Sequence, residues 1–161
     1  PHHASDGTKL KSGMPVLLDF GCKVNGYCSD ITRPLWFGGK PDEEFKTVYE
    51  SVLASHLLAR DSIRAGMKGK EADAIARNYL AERELDKFFT HSLGHGIGIN
   101  IHEYPTLSPK GEGVLQDGMV FSIEPGVYFE GKFGIRIEDS VMLKDGRVVS
   151  FMKSDKNLTV L

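Results

Sequence analysis

Four acidic residues interrupt segments that otherwise read as apolar β-strands, and that conflict constrains the fold more than anything else in the chain. The segments are Met14 to Cys22 (MPVLLDFGC), Gly26 to Phe37 (GYCSDITRPLWF), Met119 to Tyr128 (MVFSIEPGVY) and Gly134 to Leu143 (GIRIEDSVML). Their interruptions are Asp19, Asp30, Glu124 and Glu138. Burying an unpaired carboxylate is costly, and several together cannot all stay ionised without cations. Arg136 can neutralise one of the four. In the last segment Ile135 and Ile137 alternate with Arg136 and Glu138, and Asp139 breaks that alternation, implying a bulge or a hydrogen-bonding partner.

The first two segments form a hairpin, because Asn25-Gly26 between them is a strong turn signal. Two registers are open. A loop centred on Val24-Asn25 sets Asp19 opposite Asp30; one centred on Asn25-Gly26 sets Asp30 opposite Gly21 and diagonal to Asp19. Either way the two carboxylates share one face, where like charges destabilise a sheet unless something neutralises them.

The stretch His91 to Glu103 (HSLGHGIGINIHE) holds three histidines, His91, His95 and His102, and three glycines. Gly94 and Gly96 flank His95, so another group can approach its backbone closely. His91 and His95 stand four apart, as on a zinc-protease helix, but each glycine would cost such a helix about 1 kcal/mol. An extended strand or loop is the better reading, with His95 as a ligand or an acid/base group.

Two helices separate these parts. Pro41 to Ala65 starts with Pro41 in its first turn and an acidic run that suits the dipole, carries a stripe of Phe45, Val48, Tyr49, Val52, His56, Ala59 and Ile63, and ends at Gly66. His56 reads as a satisfied packing histidine. Lys70 to about Glu84 is the second helix. Both are a layer covering a sheet rather than carriers of chemistry. Glu103 to Gly118 reads as a loop, Arg147 to Phe151 as a strand, and Met152 to Leu161 as an uninformative tail.

At 161 residues the chain is one domain, large enough for a core. Twenty basic against 22 acidic residues give no electrostatic case for nucleic acid or an anionic membrane. No apolar run approaches ~18 residues, and the start, PHHASDGTKLKSG, lacks the apolar core of a signal peptide. Cys22 and Cys28 make neither a CxxC motif nor a disulfide framework, so a reduced, cytoplasmic chain is expected.

A donor set of carboxylates with one imidazole and no thiolate is hard, and favours Mn2+, Co2+, Fe2+ or Zn2+ in an open hydrolytic site over a closed structural zinc. Two such ions ~3.5–4 Å apart can hold a bridging hydroxide and polarise a carbonyl.

At this point the motifs resemble the catalytic domain of the pita-bread metallopeptidases, family M24. LDFGCKVNGYCSDITR resembles the segment whose aspartates, here Asp19 and Asp30, are metal ligands. HSLGHGIGINIHE resembles the segment supplying the ligand His95, SIEPGVY carries the ligand Glu124, and GIRIEDS the ligand Glu138. His2, seventeen residues before Asp19, stands where the family keeps a substrate-facing histidine. The resemblance implies an α+β fold with a curved, mostly antiparallel sheet covered by helices. It implies two divalent ions, Mn2+ first among the candidates. Asp19 would bind one ion, His95 and Glu124 the other, and Asp30 and Glu138 both. Glu124 would also accept the water's proton, with His2, His91, His102 and Arg136 acting on substrate or intermediates.

EPGVY followed by GIRIED resembles the aminopeptidase P and Xaa-Pro dipeptidase branch. The implied function is hydrolysis of the bond between an N-terminal residue and a following proline by a dimetal-bridged hydroxide. The alternatives are a methionine aminopeptidase, or a peptide- or protein-binding module that retains metal without turnover. The family's domain starts upstream of His2, so residues 1–161 are expected to be a C-terminal part of it, self-associating or forming a homo-oligomer through exposed sheet surface.

Overall fold

The computed structural model describes residues 1, 2 and 6–161; His3 to Ser5, within the opening segment, lie outside the described residues. β1 (Met14–Phe20) and β4 (Ile31–Phe37) pair antiparallel, and a short ribbon of β2 (Lys23–Val24) and β3 (Tyr27–Cys28) continues from their tip. Asn25 and Gly26 turn it with φ of 50° and 88°, the two positive angles a type I′ hairpin needs. That centre sets Asp19 opposite Thr32, so the second register holds and Asp30 lies diagonal to Asp19. β12 (Thr159–Val160) adds to the other side of β4 as a parallel strand. The tail is therefore part of the structure; a two-residue strand carries no periodicity by which to find it.

Helix α1 runs Glu43–Ser62 and α2 Gly69–Ala81. Asp42 caps α1, its Oδ1 accepting the Phe45 N–H at 2.6 Å, so Pro41 precedes the cap rather than occupying the first turn. The helix ends as Ile63 becomes extended, three residues before Gly66. Both helices are shorter than their sequence patterns predict, because a stripe records which face is buried and not where hydrogen bonding stops.

A five-stranded sheet has the order β11 (Arg147–Ser150), β10 (Asp139–Lys144), β7 (Val120–Ile123), β5 (Gly94–Gly96), β6 (Glu103–Leu107). β8 (Gly126–Phe129) and β9 (Phe133–Arg136) form a separate ribbon. Apart from β12, every pairing among the described residues is antiparallel. Strand β6 lies in what reads as a loop; Pro105 masks it, and an edge position tolerates the missing N–H. α1 and α2 pack on each other and over the strands, and Phe45, Val52, Ile63, Leu80, Phe121, Ile123, Ile135 and Val141 are fully buried between the layers.

Two predicted strands are each broken in two, and the breaks position the site. Met119 to Tyr128 stops at Ile123, and Glu124 turns its N–H to Leu93 O at 2.8 Å before β8 enters the ribbon. Gly134 to Leu143 leaves the ribbon after Arg136, and Glu138 gives its N–H to Thr32 O at 3.2 Å before β10 joins the large sheet. Each acidic interruption thus sits where the chain crosses between sheets. An apolar run that changes partners looks continuous in sequence.

Candidate metal centre and active site

The crossings at Glu124 and Glu138, the hairpin base at Asp30 and strand β5 at His95 open on one cleft of about 490 Å3, also lined by His2, Asp19, His102 and Arg136. Asp30, His95 and Glu138 each offer a ligand atom within 4.8 Å of the other two. Glu124 Oε1 lies 3.2 Å from His95 Nε2 and Asp30 Oδ2 3.8 Å from it. Asp19 stands apart from this group: its Oδ2 accepts from Arg136 at 2.5 Å, and its side chain is 46% exposed.

Backbone packing explains how His95 reaches this point. A Cβ on Gly94 would stand 2.0 Å from Ser122 O, and one on Gly96 2.2 Å from Tyr104 O. The two glycines let β5 lie tightly between β7 and β6, so the close approach comes from neighbouring strands. The His95 N–H donates to Ser122 Oγ at 3.0 Å, and that hydroxyl donates to Glu124 Oε1 at 2.8 Å. His95 Nδ1 lies 3.0 Å from Gly96 O and so carries a hydrogen, which turns Nε2 toward the carboxylates.

The electrostatics are those of a site short of positive charge. Burial, then the nearby Glu124 and Asp30, push Glu138 up to about 8. Burial and the charge on Asp19 push Asp30 up to about 6. Burial disfavours a charged His95, yet the Glu124 carboxylate and the Gly96 carbonyl outweigh it and raise the imidazole above its ordinary value. Thr32 Oγ1 donates to Glu138 Oε2 at 2.5 Å, while the buried Oε1 has no hydrogen-bond partner among the described residues. A carboxylate with an orphaned oxygen, gathered with a second carboxylate and an imidazole, is the environment a divalent cation satisfies, so the donor set fits one.

Several partners of the site are invisible to periodicity because they come from distant segments. Tyr128 links two candidate residues, accepting from Arg136 at 2.8 Å with its hydroxyl 2.9 Å from His91 Nε2. His91 Nδ1 faces Ser92 O at 2.8 Å, and burial lowers the ring's pKa. His102 stacks edge-on against His95, ring centroids 4.1 Å apart; partial burial and the neighbouring His95 lower its pKa. Helix α2 contributes after all. Its Asp73–Arg77 ion pair donates from Arg77 to the Phe89 and His91 carbonyls at 2.8 and 2.9 Å and accepts the Leu93 N–H at 3.0 Å. It thereby fixes the loop carrying His91. His56 is fully buried with Nδ1 3.1 Å from Ile123 O, but its Nε2 lacks a hydrogen bond and lies 3.6 Å from Asp139. Asp139 itself makes hydrogen bonds, resolving the broken alternation without a bulge.

Carboxylates and one imidazole gathered where antiparallel sheets meet are a donor set suited to divalent cations. The sequence matches the model of metallopeptidase family M24 over residues 1–145. An Xaa-Pro dipeptidase of Pyrococcus horikoshii is 39% identical over 158 residues, covering 98% of this chain and 45% of that protein. The crystal structure of prolidase from Thermococcus sibiricus superposes with a TM-score of 0.97 at 42% identity, over 100% of this chain and 44% of that one. X-Pro aminopeptidase from Thermotoga maritima gives 0.96 at 38%, over 100% and 45%. The chain therefore belongs to metallopeptidase family M24 and has its pita-bread fold, spanning less than half the length of these relatives.

Proposed function

We propose that this chain carries the metal centre of an exopeptidase that hydrolyses the bond between an N-terminal residue and a following proline. The observation that carries the reading is the Asp30, His95, Glu138 group with the unpartnered Glu138 oxygen, in a chain similar to an Xaa-Pro dipeptidase and an X-Pro aminopeptidase. Asp19, Asp30, His95, Glu124 and Glu138 would hold two divalent ions, Mn2+ first. When bound, such a pair supplies a water of lowered pKa and polarises the scissile carbonyl. Glu124, held by the Ser122 hydroxyl, accepts a proton from the attacking water, and a protonated group returns one to proline's nitrogen as the C–N bond breaks. His2 and His102 on the cleft wall, and His91 and Arg136 joined through Tyr128, orient the peptide.

Among the described residues no helix is long and apolar enough to cross a membrane. Both cysteines are free, and on their account we place the protein in the reduced cytoplasm. The test is hydrolysis of Xaa-Pro and Met-Ala peptides, with added Mn2+, by this chain and by a protein in which it is extended to the length of its relatives. Xaa-Pro cleavage supports the reading. Preference for Met-Ala would make it a methionine aminopeptidase, and metal binding without turnover by either protein would make it a binding module.

A further inference from the structure

Behind the cleft lies a charge cluster that the chemistry above leaves unused. Asp139, fully buried beside Glu138, lies against α1. Its Oδ1 accepts from Arg33 at 2.7 Å; its Oδ2 accepts from Ser150 at 3.0 Å and pairs with Lys156 at 2.7 Å. One buried carboxylate thus meets two cations, the second delivered by the tail, where Tyr49 donates to the Lys156 carbonyl at 3.0 Å.

Arg33 does more than pair. Its Nη1 donates to Thr32 O at 2.9 Å and to Glu138 O at 2.6 Å. These carbonyls belong to the isolated bridge between Thr32 and Glu138 that joins the two sheets. On the cleft side of the same bridge, the Thr32 hydroxyl holds the Glu138 carboxylate. Next to it, the Ser140 hydroxyl donates to Asp30 O at 2.7 Å and accepts the Asp30 N–H at 3.2 Å. Asp30 lies just before β4 and Glu138 in the crossing from β9 to β10, and the two repel each other when ionised. The joint is what sets their separation, and a guanidinium, unlike an ammonium, can grip two carbonyls and a carboxylate from one planar fork.

We propose that the Arg33–Asp139 ion pair, completed by Lys156 from the tail, is a positioning clamp that sets the spacing of Asp30 and Glu138 for a metal pair. This rests on the metal-centre reading above. The clamp residues do not line the cleft; they act through the Thr32–Glu138 joint.

Calorimetric titration with Mn2+ tests this on the intact protein and on its Asp139→Asn, Arg33→Lys and Lys156→Met variants, each checked for folding by circular dichroism. Outer-shell partners of metal ligands are worth about 10- to 100-fold in affinity. Asp139→Asn and Arg33→Lys should each lose that much at a temperature where both remain folded, and Lys156→Met several-fold. A purely structural role would lower the melting temperature and leave the titration unchanged, which overturns the clamp while the metal centre stands. If the parent itself binds no Mn2+, the metal-centre reading falls and the clamp with it. If Asp139→Asn does not fold, Lys156→Met decides: a several-fold loss supports the clamp, and parental affinity overturns it.

Discussion

Glu138 shows at the scale of one residue how this site is built. Two effects push its proton affinity up, burial and neighbouring carboxylates, and the Thr32 hydroxyl and the Arg136 charge do not offset them. Without cations its folded pKa, about 8, exceeds the ordinary 4.5, and that of Asp30, about 6, exceeds 3.8. At these two groups the folded chain binds more protons than the unfolded one, so their share of the stability is present at acid pH and lost as pH rises through those values. Divalent ions held as proposed would bind the deprotonated groups and reverse the trend. Thermal unfolding from pH 5 to 8.5 should show the metal-free protein weakening with pH while the gain on adding Mn2+ grows. A metal-induced gain independent of pH would contradict ligation by these carboxylates. Sequence reasoning finds Glu138 because a charge breaks an apolar run. It misses Thr32 and Tyr128, since neither breaks any pattern: Thr32 reaches Glu138 across 106 positions, and Tyr128 reaches His91 across 37.

Among the elements, α2 and β5 work as a pair. The Asp73 carboxylate, nearly inaccessible, and Arg77 fix both ends of the loop from Phe89 to Leu93 that feeds β5. Removing one partner of a buried pair typically costs about 3–5 kcal/mol. Asp73→Ala should fall in that range by urea unfolding, whereas Asp42→Ala, which removes only the α1 cap, should cost about 1 kcal/mol. Equal, small losses for both would show that the α2 pair is solvated and does not hold the loop. The turn at Asn25-Gly26 and the stripe of α1 were legible because local chemistry decides them. The breaks at Glu124 and Ile137 were not, because a strand's partner is chosen by the rest of the fold; and β6 was hidden because Pro105 reads as a breaker unless one knows that the strand lies at an edge.

At the scale of the whole molecule, the two layers of sheet are unequally covered. Phe121 to Ile123 are buried as the strand's composition predicts, but β1 is an edge strand with Leu18 43% and Phe20 59% exposed. An apolar strand with an open edge is an association site, so the 161-residue chain should self-associate; light scattering that gives a monodisperse monomer would count against it. The central claim is that acidic residues, two on the hairpin and two where the chain crosses between sheets, converge to hold two divalent ions. Elemental analysis of the purified, Mn2+-loaded protein beside its Asp30→Asn variant tests this most directly. Two ions per chain in the parent and a sharp loss in the variant are predicted; unchanged stoichiometry in Asp30→Asn would contradict it.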